Sequence, residues 1–144
     1  MPQTNPSCSV PTLESTFRVK IEELWPLEIP RRAVLAVSGG ADSTAMALLA
    51  RNAVPDFFDR LAIAHFHHHM REEEAEEDAR FVENFARQLD LPFVRGDWRP
   101  EELRSFHRVD RNLQAAARKA RYAFLFDVAR SQSSAVLFTA HHAR

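Results

Sequence analysis

The apolar run Ala33-Val34-Leu35-Ala36-Val37 leads straight into Ser38-Gly39-Gly40-Ala41-Asp42-Ser43, and a helix-forming stretch, residues 44–50, follows at once. This order leaves few folds open. A run that is apolar at every position is a strand buried on both faces, the kind found in parallel sheets. The small-residue turn that follows opens directly onto a helix, and such a helix start is an anion site. Glycines let a phosphate approach the backbone, first-turn amides point at it, and the helix dipole favours its charge. Ser38 and Ser43 add hydroxyls, and Asp42 brings a carboxylate suited to a magnesium ion bridging phosphate oxygens.

Glycine is scarce, which sharpens the point. The chain has three, and two of them are Gly39 and Gly40. No lysine stands near this turn, so a Walker loop is excluded. The dinucleotide fingerprint needs three spaced glycines, and only an adjacent pair is present.

The remaining apolar periodicity predicts alternating strands and helices. Phe17, Ile21 and Leu24 form one stripe of a helix over 13–25. Residues 61–66 form a second buried strand. Ala75, Ala79, Val82, Phe85 and Leu89 mark a helix over 72–89, and Phe93-Val94 suggests a third strand. Residues 96–110 lack a clear period and read as a long functional loop. Leu113, Ala117, Ala120, Phe124 and Val128 define a helix over 112–129, and 134–140 a fourth strand. Right-handed crossovers then imply an α/β fold, a doubly wound parallel sheet with helices on both faces. Ligands bind beyond the carboxyl ends of such strands. Three strand ends converge there with chemically loaded residues: Ser38 to Ser43, His65 to Arg71, and His141-His142.

With 144 residues, 45% hydrophobic and 27% charged, the chain has the bulk of one globular domain. No apolar run approaches the ~20 residues that span a bilayer, so no membrane partner is expected. Cys8 is the only cysteine, which rules out an intrachain disulfide and points to the cytoplasm. Residues 1–11 read as a disordered tail and 12–30 as a helix with its connector. The net charge of −1 is unevenly spread: 95–121 holds eight Lys/Arg against four Asp/Glu, while 71–78 holds six acidic residues and one basic one. The basic segment suits phosphates. The acidic run reads as a solvated helix start.

Taken together, these motifs resemble the ATP pyrophosphatase superfamily with its SGGxDS loop, and more narrowly the tRNA(Ile)-lysidine synthetases. The likeness runs from Arg32 to Ala143. It includes the loop, His65-Phe66-His67-His68-His69-Met70-Arg71, Asn112-Leu113-Gln114-Ala115-Ala116-Ala117-Arg118 with Arg121-Tyr122, and Thr139-Ala140-His141-His142-Ala143. The resemblance implies a PP-loop ATP-binding domain over 31–144. It further implies adenylation of the wobble cytidine of a CAU-anticodon isoleucine tRNA, and attack by free L-lysine to give lysidine. Ser38, Gly39, Gly40, Ala41, Asp42 and Ser43 would then hold the pyrophosphate part of ATP. Asp42 would position Mg2+, Arg118 would contact phosphates, and His141 would lie beside the reacting centre. Arg111, Gln114, Arg118 and Arg121 share one polar helix side, in keeping with an arginine clamp.

There are departures. The family usually has Asp or Asn at position 67, Gly at 69 and Glu at 114. Its pattern also continues past Ala143 with two aspartates, where this sequence has Arg144 and then stops. The domain is therefore expected to be incomplete at its C-terminus. Other readings are a tRNA-thiolating relative, against which the lone Cys8 argues, and a non-catalytic ATP-binding fragment. His65, His67 and His69 would share a strand face within reach of one metal ion. With no obvious cysteine or carboxylate partners, they are expected instead to line the nucleotide pocket.

Overall fold

The computed structural model describes residues 10–68, 72–98, 110–134 and 136–140. The elements are α1 (Leu13–Leu24), β1 (Arg32–Ala36), α2 (Ala41–Asn52), β2 (Arg60–His67), α3 (Glu72–Gln88), β3 (Phe93–Asp97), α4 (Asp110–Ser131) and β4 (Val136–Phe138). All strand pairs are parallel, in the order β3-β2-β1-β4. The chain thus steps outward from β1 to β3 and then returns over the sheet to place β4 on the other side of β1.

Strand alternation sorts the core into two layers. Ala33, Leu35 and Val37 pack with Ala47 and Ala50 of α2 and with Val82, Phe85 and Ala86 of α3. Val34 faces the opposite way and packs with Ala64 and with Leu125, Val128 and Ala129 of α4. Leu35, Ile63 and Val34 are fully buried, and each such side chain contributes roughly 1.5–3 kcal/mol over an exposed one. The doubly wound parallel sheet expected from the apolar pattern is present.

Several boundaries moved, each for a local reason. Helix α2 begins at Ala41, inside the small-residue turn, because Gly40 serves as its N-cap and Thr44 N–H donates to Gly40 O at 3.1 Å. Strand β3 runs on through Gly96 and Asp97, paired with Phe66 and His67 of β2, where the lack of apolar period predicts a loop. The rest of that loop, 99–109, lies outside the described residues, as do 1–9 of the expected tail. Strand β4 is shorter than expected because Ser134 turns its hydroxyl back onto the backbone, donating to Arg32 O at 2.7 Å. On α1, Phe17 and Ile21 face inward as the stripe requires, but Leu24 is 75% exposed and Trp25 takes its place against Phe57 and Phe58. Arg18 ties this helix down by donating to Ala53 O, at the end of α2, at 2.7 Å.

Gly96 is needed for a close approach. A Cβ there would stand 2.5 Å from the Phe124 ring of α4, which also packs on Phe66 with centroids 5.8 Å apart. Gly96→Ala is expected to lower unfolding free energy by about 1–3 kcal/mol in urea titration, the usual size of an overpacked contact. Shortening Phe124 to Leu in the same chain should recover part of that loss.

Candidate functional site

The reversal of strand order at β1 leaves a crevice above its carboxyl end, and the small-residue turn lies there. Gly39 has φ +100, a left-handed conformation that favours glycine. Gly40 caps α2 without a side-chain hydrogen bond to its first turn, which leaves that helix start suited to an anion. Ser38 and Ser43 lock the turn. Ser38 N–H donates to Ser43 Oγ at 3.1 Å, the two hydroxyl oxygens are 3.1 Å apart, and Gly40 N–H donates to Ser38 Oγ at 3.3 Å. Thr44 Oγ1 donates to Gly40 O at 2.8 Å. The result is a rigid turn presenting amides and hydroxyls.

A cavity of about 220 Å³ opens beside it, lined by both serines, the end of β2, Asp78 of α3, Arg121 of α4, and Thr139-Ala140 after β4. Its floor, Ala36, Ala64 and Leu125 among others, is apolar. His65 is buried there, and its Nδ1 lies 2.8 Å from Val37 O. That distance requires the Nδ1–H tautomer, with the proton donated to the carbonyl. Burial pushes this imidazole below its ordinary range, more than the Val37 bond and the charge of Asp78 pull it up. His65 is therefore neutral at pH 7.

His67, 1% exposed, stands one pleat further along, with Nε2 3.2 Å from Glu76 Oε1. Glu76 in turn accepts from Arg95 Nη2 at 2.8 Å, and Arg95 also grips Asp97 at 2.9 Å. The Arg95 bond holds the Glu76 carboxyl below the usual carboxylate range, and the two acids hold Arg95 above its own. No group of three or more His, Cys, Asp or Glu among the described residues is arranged to hold a metal ion.

Not every sequence candidate lands in the cavity. Ser38 and Ser43 line it, with Gly39, Gly40 and Ala41 forming the turn between them. Asp42 is exposed in the first turn of α2, outside the lining. Of the described arginines on α4, it is Arg121 that lines the cavity; its Nε is buried with no hydrogen-bond partner among the described residues. Arg118 lies one turn nearer the helix start and is exposed, its guanidinium 5.6 Å from the Tyr122 ring centroid. His69, Arg71 and His141 fall outside the described residues, although Thr139 and Ala140 bring the chain to the cavity wall. Of the histidines, His65, His67 and His68 line the cavity.

Two residues escaped the sequence reading. Glu76 and Asp78 belong to the acidic run taken as a solvated helix start, yet Glu76 binds β3 and Asp78 faces the turn. A signal was available. Asp78 falls three residues after Ala75 and four before Val82, so helical spacing sets it beside the buried stripe of α3 even though the residue itself is exposed.

A family profile described as a PP-loop domain matches residues 13–144. The chain belongs to the PP-loop domain family. Among curated relatives, a tRNA(Ile)-lysidine synthase from Geobacter sulfurreducens is 40% identical over 112 residues, covering 78% of this chain and 23% of that protein. One from Enterococcus faecalis is 37% identical over 109 residues, covering 76% and 22%. The chain thus spans about a quarter of the length of these relatives. Two solved structures share the fold: an NH3-dependent NAD synthetase from Campylobacter jejuni (TM-score 0.63, 20% identity, 89% of this chain and 53% of that one), and a U34-tRNA thiolase from Methanococcus maripaludis (TM-score 0.65, 14% identity, 86% and 43%).

His65 gives the PP-loop domain a pH dependence. An imidazole that resists protonation when folded takes up its proton first in the unfolded chain, so acid favours unfolding. Its stabilisation is complete above the unfolded value of about 6.5 and is lost as pH falls below it. Urea titrations from about pH 7.5 to about 5.5 should therefore show falling stability. The slope should be shallower for His65→Gln; equal slopes would count against a buried neutral imidazole.

Proposed function

We propose that this PP-loop domain binds ATP in the cavity beside the Ser38–Ser43 turn and is the ATP-binding part of a tRNA(Ile)-lysidine synthetase. The observation that carries the reading is the uncapped start of α2 opening onto the same cavity as the orphaned Nε of Arg121. No side chain caps the start of α2, and the Arg121 Nε–H has no acceptor among the described residues; a polyphosphate can supply acceptors at both places. The apolar floor suits a base or ribose. Family membership and the lysidine synthase relatives support the same choice.

The donor set also fits magnesium. Carboxylate and hydroxyl oxygens are hard ligands, and this ion is commonly held by one or two carboxylates together with substrate phosphates rather than by an all-protein cage. Asp42 would hold it, and the ion would neutralise charge on the phosphates. In the proposed reaction the C2 carbonyl oxygen of the wobble cytidine attacks the α-phosphorus of ATP, and pyrophosphate leaves. The ε-amine of free L-lysine then displaces AMP. The turn amides hold the phosphates in position, Arg121 and Arg118 form the clamp, and His141 borders the reacting centre. Positioning and charge neutralisation are what such a displacement requires.

Calorimetry with magnesium-ATP tests the binding. ATP at a hundredfold excess over Kd should add about 2.7 kcal/mol to unfolding free energy. Asp42→Asn should weaken magnesium-dependent binding about tenfold, a loss of about 1.4 kcal/mol. Arg121→Gln should cost more than Arg118→Gln, because Arg121 lies in the cavity wall. Pyrophosphate and AMP should appear when ATP, magnesium, lysine and the CAU-anticodon tRNA are supplied together. ATP binding without either product would leave an ATP-binding unit that does not catalyse the reaction alone.

A further inference from the structure

Asp78 presses a carboxylate against the turn that is proposed to hold phosphates. A Cβ on Gly39 would stand 3.1 Å from Asp78 Oδ1 and 3.2 Å from its Cγ, and the residue lines the cavity between Ser43 and the end of β2. Its charge reaches His65 as well. For a plain anion site this placement is unfavourable, since a bound phosphate would meet a like charge a few ångströms away. Dipoles and charge in the wall show what the carboxylate does. Among the described lining residues Asp78 supplies the carboxylate and Arg121 the guanidinium, beside the three histidines His65, His67 and His68. The Asp78 carboxylate therefore works against the attraction that Arg121 and the start of α2 offer a polyphosphate.

We propose that Asp78 makes nucleotide binding at this turn depend on a divalent cation: its carboxylate repels the bare polyphosphate and tolerates one whose charge a cation has already reduced. The inference rests on the ATP reading above and adds the rule by which the site rejects metal-free nucleotide. Asp42 does not fill this role, because it lies outside the cavity wall, whereas Asp78, also exposed, borders it. Asp78 acts here as a specificity-determining group, not as a catalytic one. Repulsion of this kind falls on the free polyphosphate and largely spares the complex with magnesium.

The test is calorimetric titration of the chain with ATP, once with excess magnesium and once with EDTA, for the wild type, Asp78→Asn and Asp78→Ser. Circular dichroism and thermal melts should show that the variants fold. The wild type should bind magnesium-ATP at least about tenfold more tightly than ATP in EDTA. Removing the carboxylate should tighten the EDTA arm by about five- to tenfold, the scale of one close like-charge contact, and change the magnesium arm by less than about threefold. Inorganic pyrophosphate should follow the same pattern. Three results would overturn the role. Parallel weakening of both arms makes Asp78 a structural prop for Gly39. Loss confined to the magnesium arm makes it a metal ligand only. An unchanged ratio removes it from recognition altogether. A wild type that binds neither form of ATP refutes the ATP reading itself.

Discussion

Strand β1 is hydrogen-bonded on both edges and covered by helices on both faces, and the functional end of the molecule depends on that double confinement. Its neighbours are β2 and β4, and its side chains alternate between the α2–α3 layer and the α4 layer. Every residue of the run must therefore be apolar and modest in size. Because the order of strands reverses at β1, α2 and α4 leave on opposite faces and their ends stand apart above its carboxyl end. The crevice is a consequence of that reversal. Val37 N–H still donates to Ala64 O at 3.0 Å, so the sheet holds the chain until the residue before Ser38. The turn starts from a fixed point.

The chemistry above that point is built mainly from dipoles. The start of α2 has no side-chain cap and reaches the cavity through Ser43, and the paired hydroxyls of Ser38 and Ser43 brace the turn. Burial keeps His65 neutral, so it adds polarity without charge. Below, at the β2–β3 edge, charge is used differently: Arg95 joins Glu76 and Asp97 and sits near His67, a network that largely neutralises itself. That network fixes the second strand end against α3. The same helix then carries Asp78 over Gly39. One acidic run thus serves both to tie the sheet edge together and to set the charge of the cavity wall.

Much of the architecture was legible because apolar spacing reports burial directly. The stripes on α3 and α4 and the continuous runs of β1 and β2 could only be buried helices and doubly covered strands. Weaker elements were misread where the decisive contact lay elsewhere in the chain. Gly96 and Asp97 look like loop residues, yet β2 pairs with them and Phe124 needs the missing side chain. Leu24 fits its stripe by period but stays in solvent, because Trp25 reaches the aromatic cluster of Phe57, Phe58 and Phe138.

For the site, the Ser38–Ser43 turn was readable from its residues, since strand-to-helix geometry, glycine freedom and first-turn amides are local properties. The choice between neighbours was not. Arg118 and Arg121 share a helix side, and one turn of α4 separates the cavity wall from solvent; the height of the helix over the sheet makes that choice. Asp78 is exposed like most acids of its run and differs from them by bordering the cavity, and the packing of α3 on β2 is what brings it to Gly39. Local sequence set the backbone and the anion-binding end, because those depend on short-range sterics and hydrogen bonds. Long-range packing assigned the charges around them, because a side chain's electrostatic role depends on what lies opposite it.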